Sequence, residues 1–300
     1  MFTDEEIEHL RRAGKIASEM RARAREMVRS NASVLELCEG IENAIRERGA
    51  EPAFPCNVDI NEVGAHYTSP PKDPKTIPPN SIVKVDIGVH IEGYISDTAT
   101  SVCLNPEHLI LQRATEEALE KAIDTMRPGV KVSTVGAAVQ FAIEKYGLRP
   151  IRNLTGHNIT RYVVHSGKHI PNVRESNGLK VEQGDLFAIE PFATTHEGGG
   201  EVKDGGPGFI YRVAKEKAPK DKDTRMLFEA IKNSFRSLPF ARRWIDRISP
   251  IADVEKIFRS LLRERFIHGY PMLVERKGQP VGQSEHTVLV TENGCEVITR

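Results

Sequence analysis

Thiol chemistry has little to work with in this chain. Its four cysteines, Cys38, Cys56, Cys103 and Cys295, are scattered and form no CxxC pair. That excludes a cysteine-built zinc site and points to free thiols in a reducing compartment. No window approaches the ~20 consecutive apolar residues of a membrane span, and residues 1–12 are acidic and then basic, without an apolar signal core. Excess charge of either sign is absent too: Lys+Arg and Asp+Glu both number 42. A nucleic-acid binder driven by overall basicity is therefore not expected, which leaves only a local basic patch. HExxH, P-loop and GxSxG motifs are missing, so zincin, P-loop and α/β-hydrolase readings have no support. What is there fits a soluble, cytoplasmic globular protein: 300 residues, 39% hydrophobic and 28% charged. That length suffices for one large domain or two small ones.

Local signals divide the chain. Thr3 followed by Glu6 is a capping box, which opens a helix reaching about residue 29, with Ile7, Leu10, Ile16 and Met20 as its apolar stripe. A second helix spans 33–49. Prolines from Pro52 to Pro79 punctuate a loop-rich stretch. Residues 82–99 read as a β-hairpin: Val83, Val85, Ile87 and Val89 alternate, and Glu92-Gly93 supplies the turn. Helices follow at 109–126 and, capped by Ser133, up to Gly147. Short strands are expected at 185–190 and 285–290.

The chain also resembles itself. One helix ends Ala44-Ile45 and then Gly49, the other Ala142-Ile143 and then Gly147. After the first come His66, Asp86 and Asp97, at gaps of 17, 20 and 11 residues; after the second come His165, Glu190 and Glu285, at gaps of 18, 25 and 95. The mismatch in the last gap implies an insertion between Glu190 and Glu285, assigned to 197–272. Gly198-Gly199-Gly200 and Gly205-Gly206-Pro207-Gly208 read as loop within it. Asp223 would cap one helix there, and 252–265 would form another. The insert reads as a helical subdomain growing out of a loop, on a single domain spanning 1–300.

Asp86, Asp97, His157, Glu190 and Glu285 stand out because four of them sit in strand-like stretches, where an unpaired carboxylate is expensive to bury. With a two-residue turn at 92–93, facing hairpin residues sum to 185. Asp97 then faces Gly88 and Asp86 faces Ala99, which puts the two acids on one side, with Cα atoms ~7–8 Å apart. Two carboxylates at that spacing could hold metal, but a solvated polar face, or Asp97 capping a turn, explains the hairpin alone slightly better. Glu190 and Glu285 could, taken singly, be strand-end surface charges. A lone His157, His165 or His66 is more often structural than a ligand.

Taken together, five segments resemble the signature of the methionine aminopeptidases. They are Lys84-Val85-Asp86-Ile87-Gly88 with Ser96-Asp97-Thr98, Thr155-Gly156-His157, Ile189-Glu190-Pro191-Phe192, and Glu285-His286-Thr287. The long gap before Glu285, with Phe240-Ala241-Arg242-Arg243-Trp244 inside it, resembles the type II branch, in its archaeal form. The resemblance implies an α/β (α+β) "pita-bread" fold: two pseudo-symmetric halves around a curved antiparallel sheet. It implies two divalent ions (Co, Mn, Fe or Zn) bridged by Asp97 and Glu285. Asp86 would complete one site, His157 and Glu190 the other. A water activated by such ions would attack the scissile carbonyl. Glu190 would also shuttle protons, His165 would hydrogen-bond the carbonyl, and His66 would sit near the scissile nitrogen. Phe54, Cys56, Val164, Tyr270 and Leu273 would line the methionine pocket. The substrates implied are nascent polypeptide N-termini with a small second residue, met at the ribosome or away from it, by a protein expected to be a monomer with no membrane or specific nucleic-acid partner.

Two relatives of the same fold compete. Proline dipeptidases usually carry an extra N-terminal domain, for which the 85 residues before Asp86 are too few, and commonly read Glu-Pro-Gly where this chain has Glu190-Pro191-Phe192. Non-catalytic binding proteins of this fold have lost ligands, whereas all five positions are intact here.

Overall fold

The capping box at Thr3 forms: Thr3 Oγ1 accepts from the Glu6 amide, and Glu6 Oε2 accepts from the Thr3 amide at 2.8 Å. It starts helix α1 (Asp4–Met27), whose Leu10, Ile16 and Met20 are buried. The computed structural model describes residues 2–176, 178–249 and 253–300. In it, α1 and α2 (Val34–Glu47) cover one half of the molecule, while α3 (Leu109–Thr125) and α4 (Val132–Glu144) cover the other. Each helix pair closes a core of its own against antiparallel strands. Ile41, Ile45 and Val85 lie in the first core, and Val139, Phe187 and Val288 in the second. Each such side chain contributes about 1.5–3 kcal/mol on burial. This is the repeat expected from the two Ala-Ile…Gly helix ends.

The hairpin Ile82–Ile91 and Tyr94–Cys103 has the expected register, Gly88 opposite Asp97 and Asp86 opposite Ala99. Its turn places Glu92 (φ 52) and Gly93 (φ 87) in the left-handed region, which a tight two-residue hairpin requires. Asn57–Ile60 pairs on the other side of Ile82–Ile91 and sets Asn57 against Asp86. In the second half, Thr155–Asn158 pairs with Leu186–Ile189, which pairs with His286–Val290.

The halves meet along a seam stitched partly by hydroxyls. Ser101 Oγ donates to the Gln283 carbonyl (2.7 Å) and accepts from its amide (2.9 Å). The Glu285 amide donates to the Ala99 carbonyl (3.2 Å). Thr98 Oγ1 donates to the Glu285 carbonyl (2.8 Å), and Thr287 Oγ1 bridges the Asp97 amide (2.7 Å) and carbonyl (2.8 Å). The seam therefore sets Asp97 and Glu285 beside each other.

Three local expectations need correcting. Ser133 does not cap α4: the N-cap is Lys131, which makes no side-chain cap bond, and Ser133 lies inside the first turn. In α5 (Lys222–Phe235) the cap is Asp221, not Asp223; its carboxylate accepts from the Thr224 amide at 2.9 Å. Gly205-Gly206-Pro207-Gly208 is not loop. It lies within the strand Val202–Val213, whose register against Ile267–Glu275 shifts on both sides of Pro207. Proline lacks the ladder amide and is accommodated at such irregularities. Helix α5 and the two helices after it thus hang from the two antiparallel strands Val202–Val213 and Ile267–Glu275. Of the second expected helix, α7 (Val254–Arg263) is seen, following the short α6 (Ile245–Ile248), while Ala252 lies outside the described residues. Phe228, Phe240, Trp244, Phe258 and Leu261 give this region its own core. A buried ion pair, Arg243 with Glu42, ties it to α2, and Trp244 Nε1 donates to the same carboxylate at 2.7 Å.

Candidate metal centre and substrate cavity

Strand alternation and the seam turn four distant acids toward one space. Asp86, Asp97, His157, Glu190 and Glu285 all line a single cavity of about 220 Å³. Asp97 and Glu285 are 2% and 1% exposed, which removes the surface-charge alternative for Glu285. Ligand atoms of Asp97, His157 and Glu285 lie within 4.8 Å of one another. His157 Nε2 is 3.4 Å from Glu190 Oε1 and 3.7 Å from Asp97 Oδ2.

The electrostatics of the cluster are those of a site lacking its counter-charge. Burial pushes the Asp86 pKa up to about 7. Asp97, Glu190 and Glu285 are raised well above the usual carboxylate range, first by desolvation and then by their acidic neighbours. Desolvation, then neighbouring His165, holds His157 well below the ordinary imidazole value, leaving it neutral. Asp86 Oδ1, Asp97 Oδ1, Glu285 Oε2 and His157 Nδ1 are buried with no hydrogen-bond partner among the described residues. Orphaned polar atoms of this kind are costly, and a cation removes both the repulsion and the missing bonds. One nitrogen and carboxylate oxygens suit hard or borderline divalent ions. The residues present therefore fit a metal centre.

A model of metallopeptidase family M24 matches residues 8–292. The chain belongs to that family. It is 43% identical over 297 residues to the methionine aminopeptidase of Methanocaldococcus jannaschii, covering 99% of each chain. Among solved structures, the M24 fold recurs in a thermophilic Arx1 (TM-score 0.82, 16% identity, 99% of this chain and 91% of that one). It recurs also in the methionine aminopeptidase of Thermotoga maritima (TM-score 0.71, 23% identity, 100% and 98%). Both likenesses support the pita-bread architecture.

The rest of this M24 cavity agrees unevenly with the sequence. His66, His165, Phe54, Val164, Tyr270 and Leu273 all line it. Cys56 does not. It is buried in the α1–α2 core; its amide donates to Glu42 Oε1 (3.0 Å), and its carbonyl accepts from Thr68 Oγ1 (2.7 Å). The wall at that place is made by its neighbours Phe54 and Asn57. Sequence reasoning missed Asn57, Leu154, Phe192, Ile210 and Pro239. Asn57 could have been found as the cross-strand neighbour of Asp86. Ile210 and Pro239 carry no local signal, because the insert's strands bring them in.

The two cavity histidines are differently held. His66 has a positive φ (73) and its Nδ1 lies 3.3 Å from the Pro271 carbonyl, so Nδ1 carries the proton and Nε2 is free to accept. The His165 ring lies against that of His157, centroids 4.2 Å apart and planes tilted by 53°. His165 is an exposed residue on the cavity wall, yet desolvation and then His66 hold it below the ordinary imidazole pKa.

Proposed function

We propose that this chain hydrolyses the first peptide bond of chains beginning with methionine, using two divalent ions held by Asp86, Asp97, His157, Glu190 and Glu285. Membership of M24 supports metal-dependent peptide hydrolysis, and close relatives named methionine aminopeptidase support removal of N-terminal methionine. The observation that carries the reading is the gathering of all five groups on one cavity, four of them with unpaired buried atoms. When bound, divalent ions supply Lewis-acid activation of water and of the scissile carbonyl.

Asp97 and Glu285, with Asp86, His157 and Glu190, would hold the ions. Four carboxylates balance the charge of two divalent ions, which leaves no surplus to repel a substrate α-ammonium group. Glu190 moves a proton from the attacking water toward the leaving amine. Neutral His165 donates an N–H to the carbonyl oxygen as negative charge develops there. His66, protonated on Nδ1, offers Nε2 to the N–H of the scissile bond. Phe54, Val164, Tyr270 and Leu273 form the apolar slot for the thioether, joined by Ile210 and Pro239. Tyr270, Ile210 and Pro239 come from the 197–272 segment, so we read it as a subdomain that shapes the entrance to one catalytic domain. Nascent chains in the cytoplasm with a small second residue are the proposed substrates, and a monomer is the proposed working form. No helix among the described residues is long and apolar enough to cross a membrane.

The test is hydrolysis of Met-Ala-Ser against an X-Pro dipeptide, with Co, Mn, Fe and Zn each added to metal-free protein. Release of methionine from the first alone is expected. Cleavage of the dipeptide would favour a proline dipeptidase, and no metal uptake with no hydrolysis would favour a binding protein.

Gly88 offers a sharper check on the slot. A Cβ there would stand 2.3 Å from Phe54 Cε1, so Gly88→Ala must push the ring. Displacements of this kind cost about 1–3 kcal/mol. KM for Met-Ala-Ser should rise roughly tenfold at unchanged metal content; an unaltered KM would remove Phe54 from the slot.

A further inference from the structure

Alternation along a strand sends neighbouring side chains to opposite faces. Asp97 and Glu285 enter the cavity, so Thr98 and His286 look away from it, toward α1. One residue of that helix reaches both. Arg21 Nη1 donates to Thr98 Oγ1 and to the Thr299 carbonyl (2.9 Å), and lies 3.1 Å from His286 Nδ1. The contacts continue into the seam. Thr98 Oγ1 donates to the Glu285 carbonyl (2.8 Å), and Thr299 Oγ1 accepts from the Thr287 amide (3.1 Å). Thr287 Oγ1 in turn holds the Asp97 amide and carbonyl.

We propose that Arg21 is a positioning residue for the metal centre, clasping the two ligand-bearing strands from behind and fixing the spacing of Asp97 and Glu285. The inference rests on the reading that these two acids hold metal. Planar, multivalent donors suit guanidinium for such a task better than ammonium. Arg21 is also a half-buried cation that offsets part of the repulsion Glu285 meets from Asp97, Asp86 and Glu190. Spacing matters because both acids must reach the same ions at once. A shift of a few tenths of an ångström in one strand leaves the fold intact but spoils a bridging geometry.

Arg25 provides the control. It lies one helical turn further along, and its Nε donates to Thr100 Oγ1 at 2.9 Å. It thus makes the same kind of bond to the same strand, beyond the ligand segment.

The test is calorimetric titration of metal-free protein with Mn2+. Arg21→Ala should bind at least tenfold more weakly than the wild type, while Arg25→Ala should stay within about twofold. A general loss of packing would lower thermal stability in both variants and leave affinity alike. Thr98→Val, nearly isosteric but without the hydroxyl, should weaken binding several-fold and carries the test if Arg21→Ala does not fold. Wild-type affinity in Arg21→Ala or, failing that variant, in Thr98→Val would overturn the proposal, as would equal losses in Arg25→Ala. Because affinity is read without peptide, a wild type that takes up metal but leaves Met-Ala-Ser intact would overturn the proposed function and not the clasp.

Discussion

His165→Ala is expected to lower kcat on Met-Ala-Ser by roughly 100- to 1,000-fold, the usual loss for one donor to a developing oxyanion, while metal affinity and thermal stability stay near wild type. The substitution is structurally clean. The His165 ring makes no hydrogen bond to another described residue and is already exposed on the cavity wall, so no partner is orphaned. The backbone around it is held independently: the Ser166 amide donates to the Asn158 carbonyl (2.7 Å), and the Tyr162 amide to the Gly93 carbonyl (2.8 Å). His157, the metal-ligating candidate whose ring it touches, comes from the strand Thr155–Asn158, anchored through Ala188. Loss of His165 should therefore leave the ligands in place. KM should move less than kcat, because the donor matters most when charge has built up on the oxygen. Metal content by elemental analysis and kcat by methionine release separate the outcomes. A parallel fall in both would mean that His165 holds metal or the fold, contrary to the role proposed.

What the sequence could reveal follows from the range of the interactions involved. The hairpin was legible to the residue, since a two-residue turn at Glu92-Gly93 leaves one register, and that register puts Asp86 and Asp97 on one face. The second half was legible through its likeness to the first. The seam was not, because Thr98, Ser101 and Thr287 read as ordinary strand residues until their hydroxyls find partners across the two halves. Arg21 was invisible for the same reason: an arginine on an amphipathic helix looks solvated, and its acceptors lie far away in the chain. Cys56 shows the reverse failure. The family resemblance put it in the methionine pocket, but the chain turns it into the core, where Glu42 takes its amide. The glycines at 205–208 misled because composition cannot tell a loop from a strand that must run close to another. A Cβ on Gly208 would come 2.4 Å from the Tyr270 carbonyl, so glycine here marks strand contact.

Chelation is the remaining large effect, and its pH dependence tests the charge argument directly. Metal-free protein should lose all methionine release, regain it on adding a divalent ion, and melt at a lower temperature than the loaded form by a margin that widens from pH 6 to pH 8.5. At metal a hundredfold above Kd, binding alone adds about 2.7 kcal/mol, or roughly 4 °C for a domain of 300 residues. The widening follows from the carboxylates. Their pKa values are raised in the folded metal-free protein, to about 7 for Asp86 and well above the ordinary range for Asp97, Glu190 and Glu285. A group raised in this way supports the folded state while protonated. Its contribution is complete below the unfolded value of about 4 and is lost as pH rises through the folded value. In the loaded protein the same groups are ionised and paired with metal, so that loss does not occur. Other buried groups titrate in this window too. His66 is lowered, and Lys84 is lowered to about 7, and both favour the folded state as pH rises. Neither is among the metal-ligating candidates, so the difference between the two melting temperatures is set mainly by the ligand carboxylates. Solvated acids would give a difference that stays flat across the range; buried ones, repelling each other around an empty centre, give one that grows.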